Sequence, residues 1–241
     1  MRLILILFLL CFSLSTQASC VILLHGLART HNSMEKLGST LRQEGFYPVN
    51  EGYPSRDYPI EELAILAIEP ALALCPPELE IDFVTHSLGG ILVRQYLSQH
   101  EISNLNRVVM LAPPNKGSEV IDKLYKVPGF HFINGDAGMQ LGTNALSLPN
   151  TLGSADFDLG IIAGNRSINL INSTLLIPGS DDGKVSIEST KLDGMNDHIE
   201  MPVTHTFMME NKKVIAQVIA YLTNGSFTRD QTTELNLICM L

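Results

Sequence analysis

Residues 81–93 read Ile-Asp-Phe-Val-Thr-His-Ser-Leu-Gly-Gly-Ile-Leu-Val, an apolar strand that breaks at a serine and resumes as an apolar helix. Such a turn places the Ser87 hydroxyl at the carboxyl end of a sheet, where open α/β sheets present their sites. The helix behind it points its first amides at any negative charge that develops there. Gly89 is the small neighbour that so tight a turn requires. A serine used this way attacks carbonyl carbon when an imidazole takes its proton, a carboxylate orients the imidazole, and amides hold the oxyanion. Near the C-terminus the chain offers His198 and His205 as bases, and Asp181 and Asp182 in the loop Pro-Gly-Ser-Asp-Asp-Gly-Lys-Val-Ser. Pro, Gly and Ser make residues 178–186 a loop, so a carboxylate there can be aimed without disturbing a strand.

The elements that must position these groups alternate in type. Residues 21–24 form a continuous apolar run that ends at His25-Gly26. A helix over residues 33–44 follows, with Asn32 or Ser33 as its cap, and then a weak strand over 46–50. Residues 61–74 have helical composition, with Pro70 bending or shortening the helix. Strands are predicted at 81–84, 107–112, 159–163 and 201–203, and helices at 88–98 and 213–222. Short apolar strands alternating with helices imply an α/β fold, a mostly parallel sheet with helices on both faces. Residues 113–158 are rich in Gly, Pro and Asn, yet Phe130, Phe132, Met139 and Leu141 make them a packed excursion, which a substrate-covering role would explain.

With 241 residues, 45% of them hydrophobic, the chain can bury a substantial core. A net charge of −9 without a Lys/Arg cluster argues against a nucleic-acid partner. Met1-Arg2, the apolar run 3–14 and Thr16-Gln17-Ala18 form the pattern of a secretory signal peptide over residues 1–18. The run is too short for a membrane span. This predicts an exported protein, periplasmic or secreted, with residues 19–241 as one domain. Cys11 leaves with the signal, so Cys20, Cys75 and Cys239 meet an oxidising compartment. Cys20 and Cys75 each precede a strand, and parallel neighbouring strands bring their starts together, which predicts a Cys20–Cys75 disulfide and a free Cys239. No Cys-x-x-Cys or His-rich spacing points to a metal, and no cofactor is implied.

Thr85-His86-Ser87-Leu88-Gly89 resembles the Gly-x-Ser-x-Gly nucleophile elbow of α/β hydrolases, with Thr85 in place of the first glycine. His25-Gly26-Leu27 after the first strand and residues 110–120, Met-Leu-Ala-Pro-Pro-Asn-Lys-Gly-Ser-Glu-Val, are similar to segments of the same group. Together, residues 21–227 resemble the small bacterial lipases and esterases of the α/β-hydrolase superfamily, lipase class 2-like. The resemblance implies a serine hydrolase cleaving carboxylic esters, with catalytic Ser87, Asp182 and His205. It places Asp182, in Asp-Gly-x-Val, at the family's acid position, with Asp181 as the competitor. Chain order leaves His198 and His205 as bases; His205 is favoured because it falls in a loop after a strand, whereas His198 lies within or at the start of one. Leu27 and Leu88 take the oxyanion-hole amides, Gly26 permits the close approach, and His25 supports the backbone there. The partners implied are a small-molecule or lipid ester and a peripheral contact with lipid. A non-catalytic binding protein of the same fold and an acyltransferase using the same acyl-enzyme are the alternatives.

Overall fold

The computed structural model describes residues 19–168 and 172–229. The signal segment 1–18 and Cys239 lie outside the described residues.

Among those residues, β1 (Cys20–Leu24), β2 (Tyr47–Val49), β3 (Ile81–His86), β4 (Leu105–Leu111), β5 (Leu159–Gly164) and β6 (Asp197–Met201) form one sheet. Its order is β2-β1-β3-β4-β5-β6, and every pairing is parallel. Alternate side chains of each strand serve two separate cores, as the pleat requires. Ile22, Phe83, Met110 and Ile161 pack on one face with helices α2 (Ile60–Ala73) and α3 (Leu88–Leu97). Leu23, Val84, Val109 and Ile162 pack on the other with α1 (Glu35–Gln43) and the C-terminal helix. Each fully buried side chain of this size contributes about 1.5–3 kcal/mol. Sheets covered on both faces show continuous apolar strands, which is why these were legible.

Several boundaries move. The first helix is entered through a 3-10 turn, His31–Met34, so neither Asn32 nor Ser33 caps α1. The helix α2 runs through Pro70 to Ala73. Pro70 is exposed, so the carbonyl it leaves unbonded faces water. The last strand is Asp197–Met201 rather than residues 201–203. As an edge strand it tolerates polar residues, so it carries no apolar run in the sequence. Residues 113–158 carry three short helices: α4 (Glu119–Leu124), α5 (Phe130–Met139), broken at Gly135, and α6 (Leu148–Thr151). After β5 comes α7 (Ile187–Thr190). The C-terminal helix α8 (Lys212–Asn224) starts where the Asn211 side chain accepts from Lys213 N at 2.9 Å and ends at Gly225, φ 71°.

A Cys20–Cys75 disulfide ties the start of β1 to the segment leading into β3. Cys20 pairs with Ile81 across the β1–β3 ladder, so the two strand starts are indeed neighbours. Among the described residues, no helix is long and apolar enough to cross a membrane.

Candidate active site

The sheet order reverses between β1 and β3, and a crevice at their carboxyl ends is where doubly wound sheets bind ligands. Ser87 stands there, at the end of β3. Its backbone takes φ 53°, ψ −118°, a strained conformation for a residue with a Cβ. The turn is held because the Ser87 amide donates to Leu111 O at 2.9 Å, tying it to β4.

The glycines behind the serine have a steric cause. A Cβ on Gly89 would lie 2.6 Å from Leu24 O, so only a bare backbone lets α3 start against the end of β1. Gly90 solves the problem raised by Thr85. A Cβ at Gly90 would already be 3.3 Å from Thr85 Oγ1, so the threonine fits by using the space that this glycine leaves. The cost is a buried Thr85 hydroxyl with no hydrogen-bond partner among the described residues.

Asp182 and His205 meet in the loops after β5 and β6. His205 Nδ1 donates to Asp182 Oδ2 at 2.7 Å, and both residues are buried. The other oxygen, Oδ1, accepts from the amides of Lys184 at 3.0 Å and Val185 at 2.9 Å. The His205 amide donates to Asp182 O at 3.0 Å, so the pair is fixed by backbone as well as side chain. Asp181 faces elsewhere: its Oδ1 accepts from Ser173 Oγ and from Gly183 N, each at 2.6 Å. His198 is in β6, hydrogen-bonded to Thr190 Oγ1 at 3.2 Å. The structure thus brings together Asp182 and His205 and leaves Asp181 and His198 apart from them.

Leu27 and Leu88 carry backbone amides that donate no hydrogen bond among the described residues. Gly26 brings the first of them close, since a Cβ there would lie 2.8 Å from His86 Nδ1 and 3.2 Å from Ser87 Cβ. His25 braces this turn from behind. Its Nδ1 donates to Gly26 O at 2.9 Å, its Nε2 accepts from Tyr53 N at 3.4 Å, and its ring stacks on Tyr53 with centroids 4.1 Å apart. Burial lowers the His25 pKa, which keeps this donor–acceptor pattern in the neutral tautomer.

Four contributors have no counterpart in the sequence reading. Tyr53 OH donates to His25 O, and Ser55 Oγ accepts from Ala28 N at 3.1 Å, so the segment after β2 props up the turn after β1. His86, beside the serine, donates from Nε2 to His205 O at 3.0 Å, and burial followed by repulsion from His205 holds it neutral. Arg29 donates to Thr206 O at 3.3 Å. Only His86 had a local signal, its place next to Ser87; the others act across loops far apart in the chain.

Ser87, His205 and Leu27 line one cleft of about 210 Å³. Much of its lining is apolar: Val120, Ile121, Phe130, Ile133 and Leu141, all from residues 113–158.

No protein-family model and no curated protein matches the sequence. Solved structures do. A lipase of Bacillus licheniformis in its mature form, BlEst2, superposes with TM-score 0.66 at 18% identity, covering 86% of this chain and 93% of that one. The metagenomic carboxyl esterase MGS0156 gives TM-score 0.61 at 16% identity over 79% of this chain and 65% of that one. Polyneuridine aldehyde esterase, as an H244A mutant, gives 0.57 at 10% identity, with 86% and 100% covered. The chain has the α/β-hydrolase fold. The phospholipase PlaB of Legionella pneumophila also matches, with TM-score 0.57 at 21% identity over 72% of this chain, which spans less than half (46%) of PlaB. In the α/β-hydrolase fold, a serine at a strand-to-helix elbow followed in the chain by a paired carboxylate and histidine is a recognised arrangement.

Proposed function

We propose that the protein is an exported serine hydrolase of carboxylic esters, with residues 19–241 as one domain and residues 113–158 covering the substrate. The observation that carries this reading is the buried His205–Asp182 hydrogen bond, 2.7 Å, beside a serine in a strained elbow on the same cleft. In this mechanism Ser87 Oγ attacks the ester carbonyl and its proton passes to His205 Nε2. Asp182 holds the imidazole in the tautomer that leaves Nε2 free. The amides of Leu27 and Leu88 receive the oxyanion. The alkoxide leaves with the proton from His205, and water, deprotonated by the same imidazole, releases the acid from Ser87. The apolar wall suits the acyl chain, and exposed Phe132 and Ile133, 88% and 58% accessible, suit a peripheral contact with lipid. Export is supported by the N-terminal signal pattern and by the disulfide. The naming of structural neighbours as lipases and esterases supports the ester as substrate.

The test is Ser87→Ala assayed on p-nitrophenyl butyrate with a fluorophosphonate label in parallel. Loss of the nucleophile from a triad lowers turnover by about 10⁶. The reading predicts labelling of the wild type, no labelling of the variant, and turnover at background. A folded variant that keeps a tenth of the activity removes Ser87 from the mechanism.

A further inference from the structure

The cleft has a second chemical character that ester hydrolysis alone does not require. Beside the apolar residues, Arg29 and Lys184 both line it, one from the loop after β1 and one from the Asp182 loop. Among the described residues neither cation forms an ion pair with a carboxylate. Asp182 is the acid nearest in the chain, and its two oxygens are already taken by His205 and by the Lys184 and Val185 amides. Arg29 is half-buried and has given one donor to Thr206 O, which leaves most of its guanidinium unused. Lys184 reaches from the cleft lining toward solvent, and among the described residues its ammonium makes no hydrogen bond. Partial desolvation by the surrounding protein, then repulsion from Arg29, lowers its pKa, while Asp182 opposes the shift. Two like charges are thus held at one side of a cleft, each disfavouring the other, in a protein whose net charge is −9. That arrangement is relieved by an anion seated between them.

We infer that the substrate is an acyl ester whose alcohol part carries an anionic group, phosphate or carboxylate, bound by Arg29 and Lys184 while the acyl chain lies on the apolar wall. This assignment rests on the serine-hydrolase reading of the same cleft. It sets the ester's orientation: acyl chain toward Ile121, Phe130 and Leu141, leaving alcohol toward the cations.

The experiment compares three soluble short-chain substrates: dihexanoylglycerol phosphate, dihexanoyl phosphocholine and dihexanoylglycerol. The inference predicts that kcat/KM for the phosphate monoester exceeds that for the neutral diacylglycerol by at least tenfold at low salt. The zwitterion falls between them, and the advantage shrinks as salt screens the charges. Lys184→Gln, whose side chain holds nothing else in place, and Arg29→Gln should each lower the phosphate-to-neutral ratio severalfold, and the double variant should abolish it; Lys184→Arg keeps it. Inorganic phosphate separates the two sources of the anion: inhibition confined to the phosphate ester supports a headgroup site, while no inhibition at any concentration, with equal rates on all three esters, overturns the inference. Equal proportional losses on charged and neutral esters in folded Lys184→Gln also overturn it, because they assign the cations to structure. Calorimetric binding of the ether-linked analogue dihexylglycerol phosphate to Ser87→Ala distinguishes the two readings. Binding that needs Arg29 and Lys184, in a protein whose wild type hydrolyses no ester, sustains the anion site and sinks the hydrolase. Hydrolysis of esters without binding preference for the phosphate does the reverse.

Discussion

Replacing Asp182 by asparagine tests the triad more sharply than deleting it, because the surroundings decide which way the amide turns. Oδ1 of Asp182 accepts from two backbone amides, at 3.0 and 2.9 Å, and Oδ2 accepts from His205 Nδ1 at 2.7 Å. An asparagine keeps its oxygen toward the two amides, since the reverse leaves two buried N–H donors facing an NH₂, at about 1–3 kcal/mol each. Its NH₂ then faces His205 Nδ1, which must become an acceptor. The imidazole proton moves to Nε2, where it blocks the acceptance of the Ser87 proton. A wrong tautomer in otherwise intact geometry lowers kcat by about 10⁴, which is roughly 5.5 kcal/mol of lost transition-state stabilisation. The assay is kcat and KM on p-nitrophenyl butyrate, with KM little changed because the acyl wall is untouched. Asp181→Asn is the control. Its acceptor bonds from Ser173 and Gly183 survive with an amide oxygen, so its kcat should stay within a fewfold of the wild type. A folded Asp182→Asn that retains a hundredth of the activity, or an Asp181→Asn that is equally impaired, refutes this reasoning.

Two further predictions concern stability. The Cys20–Cys75 bridge spans a sequence separation of 55; loop-closure entropy for that length is about 4 kcal/mol. Cys75→Ala should lower the guanidinium midpoint accordingly and Tm by about 8–16 °C, and an unchanged midpoint means that the bridge does not constrain the unfolded chain. Asp82 lies beneath the sheet's amino end, where burial pushes its carboxyl up to about 6 despite bonds from Ser19 Oγ, the Arg107 amide and Asn106. A raised folded pKa means that the folded chain keeps this proton longer, so its stabilisation is complete below the ordinary carboxylate range and is lost as pH rises through about 6. Asp82→Asn should therefore gain stability over the wild type between pH 4 and pH 6, reaching about 2–3 kcal/mol by pH 8. A gap that is flat with pH in urea titrations contradicts it.

What was legible followed from local causes. Residues 21–24 and 159–163 announce buried parallel strands because both their faces are covered, so every side chain is apolar or small; 81–84 follows the same pattern except at Asp82. The elbow announces itself because Gly89 cannot carry a side chain against Leu24 O. The strand Asp197–Met201 has no such signature, because an edge strand has no need of an apolar run. The braces of the site were invisible for a different reason. Arg29 reaches Thr206 across 177 positions and His86 reaches His205 across 119, contacts that no local pattern encodes.

Those long-range contacts explain how a strained serine is kept in place. A backbone conformation such as that of Ser87 costs about 1–3 kcal/mol and persists only where its surroundings leave no alternative. Leu111 O fixes its amide, Gly89 and Gly90 let α3 begin hard against β1 and Thr85, and Gly26 closes over it from the first loop. His86 adds the step that links Ser87 to His205. Lying between Ser87 in sequence and His205 in space, with ring centroids 4.8 Å apart, it ties the end of β3 to the loop after β6 through one neutral imidazole. Burial matters to that link, because in the proposed mechanism a protonated His86 would place a second positive charge against His205 when the latter takes the serine proton. The elbow at the end of β3 and the loop that carries His205 are therefore joined directly, through a hydrogen bond from the residue next to Ser87 to the His205 backbone.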